Sequence, residues 1–402
     1  MARHYLDHAS TTPLRPEARE AMLAWTELGV TADPGRVHTE GRMARVALED
    51  ARDQVAALFG VRPRQVVLTS GGTEAVNTAV WGVVASASAA GGPGGPGGTG
   101  ATGGTGGRIA PVACAAVEHS AVRDASARHG TVLPVAVDRF GRIEPEAVTE
   151  AVDRCGAELG VLPVLAQCQA ANHEVGTAQD VAGVVSLCRE HGIPVHVDAV
   201  AAAGHLALDL ESIGADLVSV SSHKLGGPAG MGALILRRGL RIDPLLVGGE
   251  QERGRRAGLE NVVGAIGFGA ACAALAEPGR LDEEAAAARR RTGRLLDAAL
   301  AVDGVTSFGD TDRRAPHIVC IGIGGVEAEP VLLGLDQGGI AVHSGSSCSS
   351  ESLEPSPVLE AMGVDGERSL RLSVGWPTDD DDVAAFERTF AGVVERLRHL
   401  AG

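Results

Sequence analysis

From Val66 to Leu236 the chain repeats one unit: a short apolar, β-branched run, a turn, then a segment whose apolar residues recur at helical spacing. Strands buried on both faces read as unbroken apolar runs, and joining them through helices gives a mostly parallel sheet covered on both sides. The runs that predict strands are 66–69, 109–117, 132–137, 159–165, 195–197, 217–221 and 232–236, seven in all. Between them the spacing predicts helices such as 73–85, 144–154 and 180–191. Ahead of this unit, Pro16 to Leu28 and Arg42 to Leu58 are helical in pattern, the second with Leu48, Val55, Ala56 and Phe59 on one face. Residues 91–107 are almost entirely Gly, Pro and Thr; they cannot pack a core and predict a flexible surface insertion. After Arg256 the texture changes to two long alanine-rich helices (260–277 and 282–301), strands at 318–323, 340–342 and 370–374, a short helix at 355–362 and a last one from 379 to 400. The expected architecture is α/β: a large domain over 16–258 built on a mostly parallel seven-stranded sheet, and a smaller α+β domain over 259–402 that the polar arm 1–15 joins.

The totals exclude several classes of function. A net charge of −16 over 402 residues leaves no broad phosphate-binding surface, so direct nucleic-acid binding is not expected, although Arg253, Arg255 and Arg256 offer a local anion site. The first residues carry no apolar signal region, and the longest apolar stretch, Val262 to Ala276, is cut by glycines and too short to span a bilayer. A soluble, cytoplasmic protein without membrane contact is expected. Seven scattered cysteines with no C-x-x-C pair argue against a disulfide framework or a metal site.

Chemistry concentrates in a few stretches. Lys224 is the only lysine among 35 basic residues. Arginine cannot form an imine, whereas a desolvated lysine amine condenses with an aldehyde, so this residue reads as a Schiff-base lysine for pyridoxal phosphate (PLP), or as the survivor of an arginine-biased composition. Thr69-Ser-Gly-Gly-Thr-Glu-Ala75 sits where a strand becomes a helix; it suits a phosphate and equally makes an ordinary helix start. Asp198 ends a buried strand, where a carboxylate either caps a loop or meets a cation such as a protonated pyridine nitrogen. His119 also ends a strand, free to stack on a ring, move protons or serve structure alone. Cys348 lies among serines in His343-Ser-Gly-Ser-Ser-Cys-Ser-Ser, an exposed-looking tether that suggests a nucleophile. Arg371, alternating with apolar residues on a predicted strand, is placed for a substrate carboxylate or an edge salt bridge.

Taken in order, T-S-G-G-T-E, E-H-S-A-V, N-H-E-V-G, H-V-D-A, S-S-H-K, E-R-G-R-R-A-G, S-G-S-S-C and L-E-P-S resemble the cysteine desulfurases, a branch of the class V aminotransferases with the fold type I architecture of PLP-dependent transferases. The resemblance runs from Tyr5 nearly to the end and matches the subgroup with a mobile cysteine loop. It implies that Lys224 holds PLP covalently and moves protons at the substrate carbon. Gly72, Thr73, Ser221 and His223 would bind the phosphate, Asp198 the ring nitrogen, and His119 would stack on the ring. Asn172, His173 and Arg371 would face the L-cysteine substrate. Cys348 would take its sulfur as a persulfide, release alanine and pass the sulfur to an acceptor protein. A homodimer is implied, because these sites are completed by the neighbouring subunit.

Three positions depart from the family pattern. Ala201 stands where a glutamine usually bonds the ring hydroxyl, Leu259 where a threonine usually reaches the partner subunit's phosphate, and His173 where the motif carries asparagine. Two missing hydrogen bonds would weaken cofactor binding by about tenfold to a hundredfold. The chain ends at Gly402, without the tail through which housekeeping members dock an iron–sulfur scaffold, so the expected role is a specialised sulfur donor for thiolation of nucleic acid or a metabolite, ahead of iron–sulfur cluster assembly. The competing expectations are a PLP lyase acting on selenocysteine or cystine, which would not need Cys348, and a non-catalytic homologue that serves as a binding scaffold.

Overall fold

The computed structural model describes residues 3–90, 110–344 and 356–401. The glycine-rich insertion and Cys348 lie outside the described residues.

The seven-stranded sheet has the spatial order Val66–Thr69, Gly232–Leu236, Leu217–Ser221, Val195–Asp198, Leu165–Gln169, Pro111–Ala115, Thr131–Val135. Gly232–Leu236 runs antiparallel to both neighbours and every other pairing is parallel. Alternate residues of each strand feed two different cores. Val67, Val112, Leu165, Leu217 and Leu234 pack with Val76, Val80 and Val83 of the helix Gly72–Ala90. Val66, Ala113, Ala166, Val197 and Val218 pack with the helices Thr39–Leu58, Pro145–Leu159, Val181–Glu190 and Val262–Leu275 on the other face. Burying both faces favours apolar runs; the polar residues inside them, Gln167, His196 and Ser219, satisfy one another across the strands, and other polar side chains fall at the strand ends. The C-terminal ends of three parallel strands meet on one edge, where Gln169 stands opposite Asp198 and Asp198 opposite Ser219. In an open α/β sheet that edge is where a ligand crevice forms.

One strand sits later than its sequence pattern predicts. The helix Pro145–Leu159 keeps Leu159 and stops at Gly160, whose φ of +68° supplies a left-handed cap. The chain then crosses to the sheet, and the strand is Leu165–Gln169 rather than 159–165. The apolar residues Val161 and Leu162 that suggested the earlier start are exposed.

A second, antiparallel sheet has the order His343–Ser344, Ser369–Ser373, Ile318–Ile323, Val305–Phe308. With the helices Arg280–Leu300, Ala328–Gln337 and Asp380–Ala401 it encloses its own core, which includes Leu6 of the N-terminal arm. The arm is tied in by parallel pairing of His4–Tyr5 with Ile340–Ala341. The helix Val262–Leu275 buries Phe268, Cys272 and Leu275 in the core of the large sheet, so residue 259 falls ahead of a helix that packs with the first unit. Among the described residues no single helix is long and apolar enough to cross a membrane.

Candidate active site

A cavity of about 340 Å³ opens at the C-terminal edge of the large sheet. It is lined by Gly72, Thr73, His119, Gln169, His173, Asp198, Ala201, Ser221, His223, Lys224 and Arg371, together with Ala9 and Ser10 of the arm. These residues come from seven separate stretches of sequence; those of the large sheet are delivered by the end of a strand or by the turn that follows it, and Arg371 by the middle of the strand Ser369–Ser373.

Lys224 closes a single 3-10 turn, Ser222–Lys224, after the strand Leu217–Ser221. Its Nζ donates to the carbonyls of Ala9 and, at 2.9 Å, Ser10. Four successive carbonyls of the turn are gripped from outside. His223 O accepts from Thr12 N at 3.1 Å and Gly226 O from Arg15 N at 2.8 Å, Leu225 O from Arg15 Nε at 2.8 Å, and Lys224 O lies 3.2 Å from His205 Nε2. The His205 ring stacks on His317 with centroids 3.5 Å apart and planes 12° from parallel. Burial holds both imidazoles well below their ordinary range, that of His205 at about 4, so the stack is one of neutral rings. The lysine backbone is therefore fixed by the arm on one side and a histidine pair on the other.

Around it, Ser221 Oγ and His223 Nδ1 are 2.9 Å apart. Burial, then the charge of Lys224, lowers the His223 imidazole to about 4 and keeps it neutral. Gly72 opens the helix Gly72–Ala90, and a Cβ there would come 2.7 Å from Val200 Cγ2. Only glycine lets the helix start approach this wall, which brings first-turn N–H groups and Thr73 to the cavity at the positive end of the helix. Asp198 is anchored by Val200 N, which donates to its Oδ1 at 2.9 Å. Behind it Glu118 is fully buried, and burial with the nearby Asp198 charge pushes its carboxyl well above the usual range, leaving an uncharged acid.

On the opposite wall, His119 caps the helix Ser120–His129, its Nδ1 accepting from Ala121 N at 3.0 Å. That bond assigns the ring proton to Nε2. The His119 and His173 rings meet edge to face at 4.8 Å, and His173 Nε2 lies 3.5 Å from the buried Glu174 Oε1. Arg371 is 2% exposed; it donates to His173 O at 2.8 Å, Asp7 Oδ1 at 2.9 Å and Ser10 Oγ at 2.7 Å. Asn172 does not line the cavity. It is fully buried, with Nδ2 given to Val117 O at 3.1 Å and Oδ1 accepting from Glu174 N and Val175 N at 2.8 Å each. The stretch carrying Cys348 lies outside the described residues, but both its ends are tied to this site. His343 is paired with Arg371 across two strands, and Ser356 Oγ donates to Glu174 Oε2 while accepting from Leu359 N at 3.2 Å.

Gln169 was not foreseen from the sequence. It is 2% exposed, lines the cavity, and its Nε2 has no hydrogen-bond partner among the described residues. The signal in the sequence is a polar residue ending an apolar run, as at Asp198, but the spacing predicts that run at 159–165 and the strand is Leu165–Gln169. The residues present fit PLP: a carboxylate for a ring nitrogen, a helix start cleared by glycine for a phosphate, and an orphaned amide donor in the same wall. Among the described residues no cluster of His, Cys, Asp or Glu is arranged to hold a metal ion.

The chain is similar to known proteins along nearly its whole length. Residues 4–92 and 110–386 match the family model Aminotransferase class-V. The chain is 37% identical to an IscS-like cysteine desulfurase of Mycobacterium tuberculosis, over 99% of this chain and 98% of that protein. It is 34% identical to the cysteine desulfurase IscS of Dictyoglomus turgidum, over 99% of this chain and 96% of that one. Among solved structures, a NifS-like protein superposes with a TM-score of 0.84 at 27% identity, covering 98% of this chain and all of that one.

Proposed function

Because this chain belongs to the class V aminotransferases, within their cysteine desulfurases, we infer that it removes sulfur from L-cysteine with pyridoxal phosphate as cofactor, leaving L-alanine. The observation that carries the residue assignment is the convergence of Lys224, Asp198, His119 and Arg371 on one cavity.

When bound, PLP supplies an electron sink for the bonds at the substrate's α- and β-carbons. Gly72, Thr73, Ser221 and His223 hold its phosphate, and Asp198 keeps a proton on its ring nitrogen. Lys224 anchors it covalently and moves the proton at the substrate α-carbon. His119 stacks on the ring and exchanges a proton through Nε2. Arg371 binds the substrate carboxylate, and His173, whose backbone carbonyl accepts from Arg371, faces the same substrate. Cys348, as thiolate, attacks the substrate sulfur; its new S–S bond forms as the C–S bond breaks, and the β-carbon takes a proton to complete alanine. The sulfur remains on Cys348 as a persulfide for an acceptor protein.

The active unit in this reading is a cytoplasmic homodimer. Exposed Leu23, Leu28, Val37, Val46, Val247 and Leu259 provide apolar surface for a second copy. Residues 16–258 with the helix Val262–Leu275, which packs in the same core, make up the cofactor-binding domain in this reading, and 1–15 with 280–402 the one that carries the cysteine stretch. The test is paired measurement of sulfide and alanine from L-cysteine, with PLP and a reductant, for the native protein and Cys348→Ser. Equal amounts of both products from the native protein and almost none from the variant are expected. Turnover that survives the substitution would point to a lyase.

A further inference from the structure

Gln169 ends its strand with an amide nitrogen that nothing among the described residues satisfies, although the residue is almost wholly buried in the cavity wall. Its orientation is set from behind. Asn172 Nδ2 lies 3.4 Å from Gln169 Oε1, and Asn172 is itself pinned by Val117 O, Glu174 N and Val175 N. With Oε1 engaged, the open valence is a donor. A buried donor left unpaired is costly, so its retention here calls for an acceptor that arrives with a ligand.

The order of strands says which acceptor. Gln169, Asp198 and Ser221 end three adjacent strands, with Asp198 in the middle. Ser221 lies on the side from which Gly72 and Thr73 also reach the cavity, the phosphate side. In pyridoxal phosphate the phosphate arm and the ring hydroxyl flank the aldehyde carbon on opposite edges, and the ring nitrogen lies across from it. With the nitrogen at Asp198 and the phosphate towards Ser221, the hydroxyl edge faces the strand of Gln169. Ala201 brings only a methyl group to the cavity. We propose that Gln169 Nε2 donates to the ring hydroxyl oxygen of the cofactor, favouring its deprotonated form and fixing the tilt of the ring. The assignment rests on the PLP reading above.

The test is affinity of the dialysed protein for PLP and for the analogue lacking the ring hydroxyl, with the pH dependence of the bound cofactor's visible absorption as a second readout. Wild type is expected to prefer PLP by about tenfold, the worth of one hydrogen bond, and Gln169→Met to lose that preference. Gln169→Glu, which turns an acceptor towards the oxygen, should bind PLP more weakly still. Both should move the absorption transition to higher pH, and Ala201→Gln added to Gln169→Met should restore preference and transition. A wild type that binds PLP and the analogue equally would overturn the proposal whether or not the variants fold. So would a Gln169→Met protein with unchanged discrimination. A wild type that takes up no PLP at all would instead remove the cofactor reading on which it rests.

Discussion

Replacing Arg52 by methionine tests how the phosphate end of the cavity is held. Arg52 and Glu252 have side chains 2% and 1% exposed and are joined by two bonds of 2.6 and 2.8 Å. Glu252 also accepts from Leu68 N at 3.0 Å, which tethers the strand leading to Gly72 and Thr73. Its backbone is left-handed, with φ of +50°, and Arg253 follows at +59°, a conformation that a side chain adopts only when surrounding contacts hold it. Arg52→Met strands a buried carboxylate with one backbone donor, and breaking such a pair costs about 3–5 kcal/mol. Replacing both partners, as Arg52→Met with Glu252→Met, removes the charge as well and should recover more than half of that loss. The assay is the urea midpoint of the PLP-saturated protein, followed by far-ultraviolet circular dichroism and cofactor absorbance together. PLP affinity of the single variant should fall with stability, because the turn that starts at Leu68 loosens. A single variant that loses less than about 1 kcal/mol, or a double variant no better than the single, would refute the reasoning.

Arg371→Lys replaces a planar fork bonded to His173, Asp7 and Ser10 by a point charge; KM for L-cysteine should rise by about tenfold to a hundredfold, with kcat changed much less. Asp198→Asn removes the group that holds the ring proton and should lower kcat by at least about a hundredfold while the protein still binds PLP. Stability should also fall with pH. Burial lowers the imidazoles of His196 and His205 to about 4, against about 6.5 unfolded. Depressed values mean that the unfolded chain takes up protons first, so the stabilisation is complete above about pH 6.5 and is lost as pH falls towards 4. These two groups alone should remove about 3 kcal/mol between pH 6.5 and 5, the lowered His8, His223 and His317 add to the loss in the same sense, and His205→Gln should flatten the slope. The raised carboxyl of Glu118 acts in the opposite sense, so the profile is best recorded in a Glu118→Gln background. No change in urea midpoint across that interval would contradict the neutral histidine stack.

Lys224 is conspicuous in the sequence as the only lysine and Thr73 for its glycine-rich helix start, but Asp198, His119 and Ser221 stand out for one physical reason. A strand buried on both faces is an apolar run, and the polar residue that ends it marks the edge where a parallel sheet opens a crevice. The same rule would have exposed Gln169, had Gly160 been read as a helix cap and the strand started at Leu165. Asn172 misled in the other direction. Beside His173 it looks substrate-facing, but whether an amide serves a ligand or its own backbone depends on which way the chain turns after the strand, and here Val117, Glu174 and Val175 consume it. The stack of His205 on His317 left no local trace, because two residues far apart in sequence are brought together only when the two sheets dock.

That last contact bears on how catalysis is shared between the two halves of the chain. Lys224 belongs to the large sheet, yet its amine rests on Ala9 and Ser10 of the arm, its carbonyl on His205, and His205 on His317 from the run into the second sheet. Arg371, from that second sheet, is oriented by Ser10 and by the backbone of His173. Lys224 and Arg371 are therefore referenced to the same arm residue, Ser10. Ser10 thus holds Lys224 through its carbonyl and Arg371 through its hydroxyl, which fixes the spacing that sets the pose of a bound amino acid.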